Sequence, residues 1–354
     1  MQRRTFLSTC GAALAVGGLA SAEEKAAKSE TPAKKRFRVI DTHLHLMNAR
    51  AMDAAGFPRI TYLNRDATVE GCIEAMDHGG VDKAFLITYN AQDIAPQLRN
   101  YKVDPAFARL VYNNEYQKAA WKKHPERFWW FPDHIDPTRE GYLEDLQRNF
   151  EEGASGIKMM TVFHGYFPDH PGYLPVYEMC RKYKKPIVMD ISYWYIDFMK
   201  PENELEARRN RVKRWSDYGR ILAPIFKEYA DVPISLAHTG TARRESDFDE
   251  ILPFIAEHPN VSCDIAASLD WISDKYAEFL QRLVKAVGSH KVMYGTDWPY
   301  WAIGKDSYLK GRFRLKLITE ECPSFNDHDK QNILAANAER FVRFEMPKAA
   351  AKTS

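Results

Sequence analysis

The sequence predicts an α/β chain closed into a TIM-like (β/α)8 barrel. Three observations carry that prediction. Eight short apolar runs of strand length recur along the chain, each followed by a helix or a helix-sized polar segment. No Gly-x-Gly-x-x-Gly stretch follows any of the runs, which argues against a doubly wound nucleotide-binding sheet. Six residues able to do chemistry, His43, His45, Lys158, Asp190, His238 and Asp297, fall at the C-terminal ends of runs, the end at which such a barrel builds its active site.

The first run, from Val39 to Leu46, ends on a His-x-His pair. Side chains two apart on a strand share a face, so His43 and His45 project together, as two imidazoles sharing one ion must. A polar, aromatic segment over 48–67 leads to a helix from Thr68 to His78, closed by Gly79 and Gly80. The second strand covers Ala84 to Tyr89. A long helical stretch from Asp104 to Lys123 opens on Asp104-Pro105, and Phe128 to Phe131 is the third strand. A helix from Thr138 to Glu152 precedes strand four, Gly156 to Met160. The loop 161–172 leads to a helix from Leu174 to Tyr183 and then to strand five, Pro186 to Ile191. An aromatic and charged insertion from Tyr193 to Arg214 precedes a helix reaching Ala230. Strands six, seven and eight are Ile234 to His238, Val261 to Ile265 and Val292 to Asp297, and a last helix spans Ile333 to Phe344.

At 354 residues, with 45% hydrophobic and 28% charged, the chain is long enough for one large barrel. A net charge of +2, with lysines scattered rather than massed, gives no footprint for nucleic acid. Residues 1–22 read as a cleaved twin-arginine-type signal. Arg3 and Arg4 precede Thr5-Phe6-Leu7, an apolar stretch runs to Ala20, and Ala20-Ser21-Ala22 has the small-x-small form of a cleavage site. That apolar stretch is short for a bilayer span, so the expectation is export to the periplasm with no membrane attachment after cleavage. Residues 23–35 carry no large apolar side chain and read as a disordered linker. The barrel is assigned 36–346 and a flexible tail 347–354. Four cysteines remain after the signal, Cys72, Cys180, Cys263 and Cys322, without a Cys-x-x-Cys, and are expected as buried thiols.

Imidazoles and carboxylates converging on one barrel mouth suit a single divalent ion, zinc first and manganese as the alternative, with a position left open for water. Water bound there would lose its proton near neutral pH. Ile-Asp-Thr-His-Leu-His at 40–45, Gly-Ile-Lys at 156–158, Leu-Ala-His-Thr-Gly at 236–240 and Tyr-Gly-Thr-Asp-Trp-Pro at 294–299 resemble the amidohydrolase superfamily in its amidohydrolase-related branch. The resemblance runs from Phe37 to Phe344. Members of that branch include aminocarboxymuconate semialdehyde decarboxylase, aromatic-acid decarboxylases, and sugar and pyrone lactonases.

The resemblance implies a barrel of the metal-dependent hydrolase type. His43 and His45 would be metal ligands from the first strand, and Asp297 the strand-eight carboxylate that binds metal or moves a proton. His238 would orient or deprotonate the attacking water. Strand five departs from the decarboxylases, which carry a histidine where this chain has Asp190; an aspartate there is a competent fourth ligand and favours harder ions. The resemblance places Lys158 where binuclear members have a carboxylated lysine. Its simpler reading is an ammonium that binds a substrate carboxylate or pairs with Asp190 or Asp297. Arg243, followed by Arg244 on the loop leaving strand six, and Trp298 are candidates for contact with an acidic, cyclic substrate.

The expectation from sequence is an exported hydrolase using water attack on the carbonyl of a small anionic cyclic or aromatic substrate. A metal-dependent decarboxylase is the near alternative, and a non-catalytic exported binding protein with a degenerate metal site the distant one. A homodimer is expected by analogy with the long aromatic insertions.

Overall fold

The computed structural model describes residues 37–46, 68–88, 114–133, 136–161, 166–191, 212, 214–242, 244–268, 275–299 and 314–348. Residues Phe37–Ser354 cluster as a unit of their own. The predicted signal and linker, Arg243, the Tyr193–Arg214 insertion apart from Val212 and Arg214, and the start of the Asp104 helix lie outside the described residues.

All eight strands form, and all their pairings are parallel. β1 (Ile40–Leu44), β2 (Lys83–Ile87) and β3 (Phe128–Phe131) make one ladder. β4 (Ile157–Met159), β5 (Ile187–Met189), β6 (Ile234–Leu236), β7 (Val261–Asp264) and β8 (Val292–Met293) make the other. Two parallel bridges join the ladders into a closed ring, Asp133 with Lys158 between β3 and β4, and Leu44 with Trp298 between β8 and β1. The backbone supports both seams: Lys158 N donates to Pro132 O at 2.9 Å, Thr42 N to Tyr294 O at 2.9 Å and His45 N to Trp298 O at 2.8 Å. Closure satisfies N–H and C=O groups that an open sheet would leave on two edges.

The strand-to-strand crossovers carry α1 (Val69–Gly79), α2 (Asn114–Lys123), α3 (Tyr142–Glu151), α4 (Leu174–Tyr183), α5 (Trp215–Glu228), α6 (Glu245–Glu257) and α7 (Tyr276–Val287). After β8 come α8 (Asp327–Gln331), a π turn over Asn332–Ala336, and α9 (Asn337–Val342). α1 shows how local chemistry sets the limits. Thr68 caps it by accepting from Gly71 N at 3.1 Å, and Gly80, in left-handed conformation at φ 73°, returns its N–H to the last carbonyls.

Alternation along the short strands sorts the side chains. Ile157 and Met159, Ile187 and Met189, and Ile234 and Leu236 pack outward into the main core with the helices. The residues between them, Lys158, Val188 and Ser235, pair in register with one another and with Ser262, and so line the opposite, inner face. A separate apolar cluster of Ile40, Phe85, Ile87, Phe131, Val188 and Met293 takes in Ala335, Ala338 and Phe341 around α9, with Phe341 stacked near Phe85 and Phe131. The four cysteines are buried and free, as expected. No helix among the described residues is long and apolar enough to cross a membrane.

Strands six and eight stop earlier than the sequence predicts, at Leu236 and Met293 rather than at His238 and Asp297. The reason is backbone conformation. His238, Thr239, Gly240 and Thr241 all have positive φ (56°, 49°, 68° and 60°), so β6 cannot run on to His238; past β8, Tyr294 N donates to Ile333 O at 2.9 Å rather than to a neighbouring strand, and Asp297 has φ 60°.

Gly156 shows how tightly the β4 entrance is packed: a Cβ there would lie 2.3 Å from Phe131 Cε1 and 2.6 Å from Pro186 O. Gly156→Ala is expected to cost about 1–3 kcal/mol of stability, read as a lowered denaturant midpoint at unchanged slope. A midpoint equal to that of the parent would show that the β3–β4 seam yields.

Candidate active site

At the C-terminal ends of the strands, six predicted side chains converge and all are buried: His43 in β1 and His45 just after it, Lys158 in β4, Asp190 after β5, His238 after β6 and Asp297 after β8. His43 and His45 meet edge to face with ring centroids 5.1 Å apart, and His43 lies 4.3 Å from the His238 ring. Asp297 Oδ1 sits 3.2 Å from His45 Nε2 and 3.8 Å from His43 Nε2. Lys158 Nζ is 3.4 Å from His43 Nε2 and 3.6 Å from Asp190 Oδ2. Asp190 Oδ2 is also 3.5 Å from His238 Nε2.

The ring nitrogens facing away from the centre are held. His45 Nδ1 lies 2.8 Å from Ile87 O, His238 Nδ1 2.8 Å from Ala266 O and His43 Nδ1 3.0 Å from an Asp264 carboxylate oxygen. A carbonyl or carboxylate can only accept, so each Nδ1 carries the proton and each Nε2 points inward.

Burial and the Lys158 charge hold His43 well below the usual histidine range, and burial lowers His45 against the attraction of Asp297. His238 goes the other way. Burial opposes its charge, but Asp297, Asp190 and Asp264 together outweigh that and raise it from 6.5 to about 9.

Two carboxylates the sequence reading passed over frame this centre. Asp41 Oδ1 accepts from His43 N and Thr296 N, at 3.0 Å each, while Thr296 Oγ1 donates to Oδ2. That ties the start of the His-x-His segment to the loop carrying Asp297, and Arg314 Nη1 braces the same loop by donating to Gly295 O and Thr296 O at 2.8 Å. Burial raises Asp41 to about 7 against the Thr296 hydrogen bonds. Asp264 closes β7 and touches both His43 and the His238 backbone. Each is an acid at or next to an apolar strand segment, the signal that singled out Asp297, and nothing local in the sequence marks either as a brace for the imidazoles.

His43, His238 and Asp297 each offer one ligand atom, all within 4.8 Å of one another. Ligand atoms about 2.1 Å from a tetrahedral metal lie about 3.4 Å apart, so modest closing of this trio would seat an ion. Asp297 Oδ1 is buried and receives no well-formed hydrogen bond among the described residues. Two imidazoles with inward nitrogens and a carboxylate oxygen therefore fit a divalent ion. This trio differs from the expected set: His238 joins it, His45 stands beside it through Asp297, and Asp190 turns to Lys158 and His238. Trp298 is buried in the main core, and its backbone N–H donates to Thr296 Oγ1 at 3.2 Å.

A closed parallel barrel with imidazoles, carboxylates and a lysine gathered at the C-terminal mouth defines an enzyme of the amidohydrolase type. The chain belongs to the Amidohydrolase family, whose model matches residues 40–344. A curated relative, the 2-amino-3-carboxymuconate-6-semialdehyde decarboxylase of Dictyostelium discoideum, is 21% identical over 299 residues, covering 76% of this chain and 75% of the relative. Among solved structures, the 5-carboxyvanillate decarboxylase of Novosphingobium aromaticivorans with bound manganese superposes with a TM-score of 0.57 at 17% identity, over 87% of this chain and 97% of that one. A probable 2-pyrone-4,6-dicarboxylic acid hydrolase of Acinetobacter baumannii gives 0.57 at 14% identity, over 86% and 99%.

The His238 shift has a testable sign. A group whose folded-state value is raised binds its proton more tightly when folded, so its stabilisation is complete below pH 6.5 and lost as pH rises through about 9. In chelator-treated protein, the stability gap between the parent and His238→Gln should shrink by roughly 3 kcal/mol between pH 6 and pH 9.5 in denaturant titrations. A gap independent of pH would mean that His238 is neutral throughout.

Proposed function

We propose that this protein is a metal-dependent decarboxylase of a small aromatic or unsaturated acid. The observation that carries the reading is the pairing, in one buried site, of a proton-bearing imidazole with a lysine ammonium: His238, raised to about 9, lies across Asp190 from Lys158. The decarboxylase names among the relatives support it, and they move this reaction ahead of the hydrolysis expected from sequence.

With His238 kept for the proton, His43 and Asp297 of the trio, joined by His45 whose Nε2 lies 3.2 Å from Asp297 Oδ1, are the residues that would hold the ion, and a divalent ion there would supply positive charge that polarises substrate oxygens. The imidazole nitrogens favour zinc, whereas the carboxylate and the manganese in the related decarboxylase favour manganese. Lys158 brings a fixed positive charge for an anionic group of the substrate. His238 then gives its Nε2 proton to the carbon bearing the carboxylate. The carbon–carbon bond breaks, its electron pair returns to the ring, carbon dioxide leaves, and the proton remains on the product carbon. His238 is recharged from solvent, with Asp190 holding the imidazolium in place.

Hydrolysis is the second reading, favoured by the acid at Asp190 and by the pyrone hydrolase neighbour. There His238 would take a proton from water instead of giving one.

We further propose that the chain is exported to the periplasm. The support is the Arg3-Arg4-Thr5-Phe6-Leu7 start and the small residues at Ala20 and Ala22.

The deciding measurement is product analysis of metal-loaded enzyme: carbon dioxide release from a panel of hydroxylated benzoates and unsaturated acids, against ring opening of lactones. Release from at least one acid, abolished in Asp297→Asn at near-parental thermal stability, is the expected result. Ring opening without gas would transfer the assignment to the hydrolase. Protein that takes up neither manganese nor zinc would remove both metal-dependent readings.

A further inference from the structure

We propose that Asp264 is a positioning residue for both histidines of the centre, and that it fixes His43 as the Nδ1–H tautomer with the Nε2 lone pair turned into the site. For its metal consequence the inference rests on the function proposed above; the tautomer itself does not.

The two carboxylate oxygens have separate tasks. Oδ2 accepts the His43 Nδ1 proton at 3.0 Å, with both side chains buried. Oδ1 accepts from the backbone N–H of His238 at 2.9 Å and of Ala266 at 3.0 Å. Ala266 in turn accepts the His238 Nδ1 proton through its carbonyl, so one acid orients one ring directly and the other through a two-residue turn. Thr239 Oγ1 adds a bond to Asp264 O at 2.9 Å and lies 3.0 Å from Ser268 Oγ. These bonds hold His238 and Thr239 in left-handed backbone that neither residue favours.

A second contact agrees with this tautomer. Lys158 Nζ lies 3.4 Å from His43 Nε2, and an ammonium has only donors to offer. Nε2 must therefore be the acceptor and Nδ1 the donor, the same tautomer that the Asp264 carboxylate demands. Only in that state can Nε2 bind a metal.

Asp264→Asn separates positioning from packing, because the two side chains have the same shape. The two backbone N–H groups at Oδ1 require the amide oxygen on their side. The amide nitrogen is then left facing His43 Nδ1, which it can meet only if Nδ1 gives up its proton. The proton moves to Nε2, where it blocks metal and opposes Lys158. Flipping the amide instead would set its NH2 against two backbone N–H donors.

The experiment follows the tautomer of the metal-free protein by long-range 1H–15N correlation of 15N-histidine-labelled samples, with the His43 signals assigned by their loss in His43→Gln. The parent should show Nδ1 protonated and Nε2 bare, and folded Asp264→Asn the reverse. Titration with manganese and with zinc should show metal binding about 10–100-fold weaker in the variant. A parent with the proton on Nε2 would overturn the proposal, even if the variant fails to fold. So would folded Asp264→Asn that keeps the parental tautomer or binds metal as tightly as the parent. If the parent binds neither metal, the metal-dependent function falls, while the tautomer result still decides the role of Asp264.

Discussion

Taking a charge out of water costs several kcal/mol unless another charge or a set of hydrogen bonds replaces the lost hydration. The mouth of this barrel removes several at once. Lys158, Asp190, Asp264 and Asp297 are almost wholly buried, and each lies within 4 Å of a complementary group: Lys158 and His238 against Asp190, His43 against Asp264, His45 against Asp297. Every one of these groups is thereby constrained by its neighbours. A side chain that swung away would strand its partner in a dry environment.

That arrangement rests on a frame of hydrogen bonds made by Asp41 and Asp264. Each carboxylate reaches from one strand end to another, Asp41 from β1 to the loop after β8 and Asp264 from β7 to β1 and the turn after β6. The barrel supplies parallel strands ending at one level; these two acids turn that shared level into fixed distances between imidazoles. Left-handed backbone at His238 and Asp297 belongs to the same arrangement. A strand continued through those residues would direct their side chains by alternation alone. Breaking the ladder lets both approach His43.

Much of this was legible in the chain. Apolar runs at regular intervals marked eight strands, and residues of unlike chemistry closing those runs marked the mouth, because strand ends in a barrel share one face whatever their distance in sequence. The His-x-His pair gave two inward imidazoles through the period of two. Less legible was the division of labour among carboxylates. Asp190 and Asp264 both follow or close apolar strands, and nothing local distinguishes an acid that faces a lysine from one that holds a histidine ring. Trp298 was equally ambiguous: a tryptophan after a strand can face a substrate or fill the core, and here it packs into the core.

The sequence by itself determined the parallel barrel, the end of it that carries chemistry and the family to which the chain belongs, since periodicity and residue order encode all three. Tertiary structure alone decided which atoms face one another: Lys158 against Asp190, Asp264 beneath His43, and the inward nitrogen of each imidazole. The physical reason is that a proton's position on a buried ring is set by acceptors contributed from distant strands, and only closure of the barrel brings those acceptors within hydrogen-bond range.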